Sequence, residues 1–125
     1  MRLEIKKVQF NFEKLIVWQK SMELVDRVYS LVELFPKKEA NILIPQLLRA
    51  ANSVPANIAE GSYRQSKKEF VQFLYIAKGS LSETLTLLEV SYNRKYVNKE
   101  EREKIRSLCK DIFNLLSALI KSLSC

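Results

Sequence analysis

The chain of 125 residues is 47% hydrophobic, holds only 2 Gly and 3 Pro, and carries a formal charge of +7. This composition excludes a disordered chain and fits one packed helical unit, large enough to bury a core without disulfide staples. With no histidine, two distant cysteines (Cys109 and Cys125), no apolar run near the ~20 residues that cross a bilayer and no signal-peptide pattern in residues 1–7, the reading is a cytoplasmic protein with no metal or cofactor.

Residues 1–12 alternate, with Leu3, Ile5, Val8, Phe10 and Phe12 set mainly between polar or basic residues. Period two predicts an extended arm. A lone strand is unstable, so the arm is expected to lie on the rest of the chain or on a neighbour. Residues 13–125 then form the bundle.

The first helix is predicted over residues 13–35. Trp18, Met22, Val25, Tyr29 and Val32 make one apolar row, and Val17, Leu24, Val28, Leu31 and Phe35 make the adjacent one. Pro36 stops it, because the residue before a proline avoids the helical region. Pro45 suits the first position of a second helix, where a missing N–H costs nothing. That helix is expected to end near Gly61, as a left-handed C-terminal residue.

Within it, Arg49, Ser53, Asn57 and Glu60 recur at helical spacing and form a polar row on one face. Small amides, a hydroxyl and one charge of each sign are unlike an ordinary Lys/Glu solvent face. The row therefore reads as facing another helix or subunit. Pro55 sits inside the helix and predicts a kink.

Ser66 with Glu69 is a capping box for a third helix, whose stripe is Phe70, Phe73, Leu74, Ala77, Leu81, Leu85 and Leu88. Gly79 falls mid-helix, where it costs about 1 kcal/mol against Ala, and a close backbone approach would explain it. Glu83 follows one turn later on the same side, and an ion pair between Arg49 and Glu83 is expected across the second and third helices. Asn98 with Glu101 caps the fourth helix. Its main row is Ile105, Leu108, Ile112, Leu115 and Leu119, with Cys109 alongside as a small buried hydrophobe. Short connections between amphipathic helices predict an all-α, up-down-up-down antiparallel four-helix bundle.

Catalysis is poorly supported. No histidine, nucleophile elbow or phosphate-cradling glycine loop is present, and a Glu60–Glu83 carboxylate pair lacks the Glu-x-x-His motif of di-metal bundles. The charge points instead to nucleic acid. The candidate contacts are Arg64, Lys67 and Lys68 in one connection and Arg94, Lys95, Lys99, Arg102 and Arg106 around the next, with Tyr63 and Tyr96 as stacking partners. Antiparallel topology places these two connections at opposite ends, so one patch holds both only in an oligomer.

Val17-Trp18-Gln19-Lys20, Phe35-Pro36, the stretch 49–61, Lys68-Glu69-Phe70 and Ile76-Ala77-Lys78-Gly79-Ser80-Leu81 occur in that order. Together they resemble the four-helix-bundle family encoded in intervening sequences of bacterial 23S ribosomal RNA genes, often described as ribosomal-type proteins. The accessory protein of diversity-generating retroelements shares that fold. The resemblance covers roughly residues 10–122 and implies a homopentameric ring with a basic surface and a non-catalytic role. The partner it implies is RNA, either structured rRNA or retroelement RNA, with a protein adaptor role (toward a reverse transcriptase, for example) as the alternative. By motif, Trp18, Arg49, Ser53, Pro55, Asn57, Glu60, Gly79 and Glu83 are the signature positions, expected to fix the bundle and its subunit contacts. The chain departs from the family pattern at Ile42-Leu43-Ile44-Pro45 and at Glu83-Thr84. The added apolar surface at Ile42 and Ile44 is expected to meet a neighbouring subunit.

Overall fold

A short 3-10 turn, Asn11–Lys14, leads into the first of four helices: α1 (Ile16–Val32), α2 (Leu43–Tyr63), α3 (Lys67–Asn93) and α4 (Lys99–Leu123). This is a computed structural model, and it describes residues 9–124. Leu3, Ile5, Val8 and Cys125 lie outside the described residues. Of the expected arm, Phe10 is extended but Phe12 is already in the 3-10 turn, where its ring meets Trp18 edge-on at 5.3 Å. Among the described residues all regular structure is helical, and no helix is long and apolar enough to cross a membrane.

Local chemistry sets the boundaries. The Ser66 hydroxyl accepts the Glu69 N–H at 3.1 Å and the Asn98 side-chain oxygen accepts the Glu101 N–H at 2.8 Å. Each satisfies a donor that the first helical turn leaves open. α1 ends at Val32, short of the predicted residue 35, and Pro36 opens a second 3-10 turn, Lys37–Glu39. α2 starts at Leu43, so Pro45 is its third residue rather than its first. It is still inside the turn whose N–H groups have no helical acceptor. α2 continues through the buried Pro55 to Tyr63.

The contacts run in opposite order along successive helices, which makes the hairpins antiparallel. On α2 and α3, Gly61 meets Phe70 and Phe73 while Ser53 meets Ser80. On α3 and α4, Glu89 meets Arg102 while Lys78 meets Phe113. α4 closes back on α1 through Arg27 and Glu101. The core lies between all four, with Leu24, Leu47, Val54, Ile58, Leu74, Leu81, Ile105, Ile112 and Leu116 fully buried. Of the two rows predicted for the first helix, only one is fully inside. Val17, Leu24, Val28, Leu31 and Phe35 are buried, whereas Met22 and Tyr29 of the other row are exposed.

Neither glycine plays its expected role. Gly61 is not a left-handed terminal residue, since no glycine has positive φ. It is buried mid-contact, and a Cβ there would stand 2.7 Å from the Phe73 Cβ and 2.9 Å from a Phe70 ring carbon. Gly79, expected to admit a close neighbour, has nothing within 4 Å of where its Cβ would be. Lys95 supplies the left-handed residue, with φ 68°, in the turn after α3. Cys109 is buried, and that burial pushes its thiol up to about 12 against the opposing pull of Arg106.

Candidate nucleic-acid interface

The signature residues divide into two groups. Ser53 and Ser80 hydroxyls share a hydrogen bond at 2.8 Å across α2 and α3. The Asn57 amide donates to the Ser53 carbonyl at 2.8 Å and to its hydroxyl at 2.9 Å. Pro55 is buried, Trp18 is half-buried against the core, and Glu60 pairs with Arg64 at 3.1 Å. Arg49, Gly79 and Glu83 form the other group. One turn beyond the Ser53–Ser80 contact on each helix, Arg49 and Glu83 are level with one another. The expected ion pair is nevertheless not made. Both side chains are exposed, and neither pairs with any described residue. Glu60 lies about three turns from that level, so the Glu60–Glu83 carboxylate pair does not form either.

The basic candidates likewise split, and by position. Antiparallel helices put Arg64, Lys67 and Lys68 at one end of the bundle and Arg94, Lys95 and Lys99 at the other. Arg64 is tied to Glu60 at 3.1 Å and Glu69 at 3.9 Å, and its guanidinium lies 4.9 Å from the Phe73 ring centre. Lys67 and Lys68 are exposed and make no ion pair with any described residue. They are the first two residues of α3, where the helix dipole is positive and a lysine is disfavoured unless an anion is near. Tyr63 beside them is 87% exposed and available for stacking.

At the other end Arg94, Lys95 and Lys99 are exposed. Arg102 and Arg106 are not free. Glu89 accepts two hydrogen bonds from Arg102 at 3.0 and 3.1 Å and another from Arg106, and Arg102 also reaches Glu103 at 2.9 Å. The Arg102 guanidinium sits 4.4 Å from the centre of the Tyr92 ring. These partners hold the Glu89 carboxyl below its ordinary range, the Arg102 hydrogen bond most of all, and raise Arg102. Tyr96 is engaged within the chain. Its hydroxyl donates to Glu39 at 2.8 Å and its ring packs on Phe35 at 5.3 Å. That hydrogen bond, with burial, raises the phenol above its usual value.

Sequence reasoning missed a third cluster. The Lys78 ammonium lies 4.4 Å from the centre of the Phe113 ring and 5.6 Å from that of Tyr75, on the outer side of α3 and α4. A Tyr and a Lys three residues apart, with a Phe lying off the apolar row of the last helix, was the available signal.

A hollow of about 1130 Å³ lies elsewhere, between α1 and the turn joining α3 to α4. Its floor includes Leu31, Tyr92 and Val97, and Leu34 on its rim is 77% exposed. Its charged residues are Glu23, Asp26 and Glu101 against Arg27 and Lys95, a balance that disfavours phosphate. Among the described residues no group of three or more His, Cys, Asp or Glu is arranged to hold a metal ion.

A model of the 23S rRNA-intervening sequence protein family matches residues 13–118. Among solved structures, the chain is similar to a protein of unknown function from the S23 ribosomal protein family of Bacteroides thetaiotaomicron VPI-5482. The two are 31% identical with a TM-score of 0.78, over 85% of this chain and 99% of that one. No curated protein matches.

Proposed function

The chain belongs to the 23S rRNA-intervening sequence protein family, and from that premise we propose a non-catalytic, RNA-associated protein that contacts structured RNA through cations at its helix ends. The observation that carries this reading is the Lys67–Lys68 couple on the positive end of α3, without an ion-pair partner among the described residues, in a chain of net charge +7. An approaching phosphate would relieve an otherwise unfavourable arrangement. Arg94, Lys95 and Lys99 supply a second such surface at the far end. Arg64, Arg102 and Arg106 are already neutralised by carboxylates and contribute less.

Self-association fits the same reading. Arg49, Gly79 and Glu83 are signature positions without a partner among the described residues, and Ile42 is 62% exposed. A second copy seated on these residues, repeated into the pentameric ring that the family resemblance implies, would bring the separated cationic ends of several subunits onto one surface.

Titration with structured RNA and with duplex DNA at several salt concentrations tests the proposal. Preferential RNA binding that falls steeply with salt is expected, and Lys67→Ala with Lys68→Ala should lower the salt slope by about two. Equal, weak binding to both nucleic acids would overturn it. The second reading is an adaptor for another protein. It is favoured by the acidic-rimmed hollow with the exposed Leu34, and salt-insensitive binding to a protein partner would support it.

A further inference from the structure

Two exposed aromatic rings on the outer side of α3 and α4 are served by one cation. Tyr75 and Phe113 keep 56% and 42% of their surface exposed, and both lie within 5.6 Å of the Lys78 ammonium. Neither ring belongs to the core. Beside Phe113 a hollow of about 470 Å³ opens between the two helices, and its lining includes Leu85, Arg106, Ser107 and Lys110. Glu103 also lines it, but that carboxylate is held by Arg102 at 2.9 Å. The hollow thus offers an aromatic wall, an apolar patch, a hydroxyl and the Lys110 cation, with its one acid paired to Arg102 and Arg106 held by Glu89. A ligand that fits is planar, aromatic and attached to a negative charge.

We propose that this α3–α4 face binds an unpaired nucleobase of single-stranded RNA, with Phe113 and Tyr75 as the stacking surfaces and Lys78 and Lys110 as contacts to the adjoining phosphates. The inference rests on the RNA-associated reading above and gives it a second, different contact. The helix-end lysines hold backbone charge and accept paired or unpaired RNA alike. The aromatic face accepts only a base freed from its partner, because a base inside a duplex presents no open π-face. Lys78 is already drawn to the rings by the attraction between a cation and an aromatic face. When a base takes up the ring surface, its ammonium stays within reach of the phosphate that arrives with it.

The test compares a labelled single-stranded oligoadenylate with a labelled RNA duplex, on the full chain, by fluorescence anisotropy at fixed salt. The variant is Tyr75→Leu with Phe113→Leu, which keeps apolar bulk at two exposed positions and removes both rings. Lys78→Ala is the second variant, and Lys67→Ala with Lys68→Ala is the control. The proposal expects the double leucine variant to lose about ten-fold or more in single-strand affinity while its duplex affinity changes by less than about two-fold. Lys78→Ala should weaken the single strand more than the duplex, and the control should weaken both alike. An unchanged single-strand affinity, or equal loss for both RNAs, overturns the aromatic site and leaves the helix-end contacts standing. Binding of neither RNA by the unaltered protein overturns the RNA reading and the site together.

Discussion

The two flanks of α3 are built differently. Toward α2 the contact is made of small groups: Gly61 lies against Phe70 and Phe73, the Ser53 and Ser80 hydroxyls meet at 2.8 Å, and Ala51 and Ala77 are fully buried. Toward α4 it is bridged by long side chains, Glu89 to Arg102 and Arg106, and Lys78 to Phe113. The first flank depends on shape and barely on charge. The second depends on charge and leaves its rings and cations facing outward. One helix therefore combines a close-packed seam with a seam whose rings and cations face outward.

Substitutions can break or sharpen this contrast. The largest effect is expected at Gly61. Gly61→Val adds atoms where even a Cβ would sit 2.7 Å from the Phe73 Cβ, so α2 and α3 must separate. Overpacking of this kind costs about 1–3 kcal/mol, to be read as a fall in the denaturant midpoint. If the midpoint does not move, the seam is not close-packed.

Gly79→Ala should act in the opposite direction. The site is helical and open, so the exchange stabilises the single chain by up to about 1 kcal/mol. If a second copy occupies that space, the same variant weakens assembly in analytical ultracentrifugation while its folded subunit gains stability. A loss of subunit stability would place an unseen neighbour inside the chain.

The smallest effect belongs to the charged seam. Glu89 is held below its ordinary value of 4.5, chiefly by the Arg102 hydrogen bond. A carboxylate lowered in the folded state adds stability that is present above the unfolded value and lost as pH falls through the folded one. Thermal midpoints of the unaltered chain should therefore decline below about pH 4.5 more steeply than those of Glu89→Gln. Added salt should shrink the difference, whereas the Gly61 effect should not respond to salt.

Much of the architecture was legible from local patterns. Ser66 and Asn98 announce helix starts because a cap needs only residues three apart. The stripes from Leu74 to Leu88 and from Ile105 to Ile112 are visible because helical period is a local property. What escaped depends on register between helices. The roles of Gly61 and Gly79 could not be assigned without knowing which residue of α3 stands opposite each turn of α2. Glu89 neutralises Arg102 and Arg106 across a hairpin, so a count of cations near the turn overstated the free charge. Tyr96 looked available beside basic residues, yet Glu39, far away in sequence, takes its hydroxyl. Phe113 and Tyr75 fell outside the core rows, and only their convergence on Lys78 shows them as one feature.

Cys109 gives the bundle an internal clock. It has no exposed surface and burial pushes its thiol up to about 12, so a thiol-directed reagent is expected to consume it mainly while α4 is lifted from the core. In a Cys125→Ser background no other thiol competes. The rate of labelling then measures how often that helix opens, and comparing it with the global unfolding rate separates local breathing from complete loss of the fold.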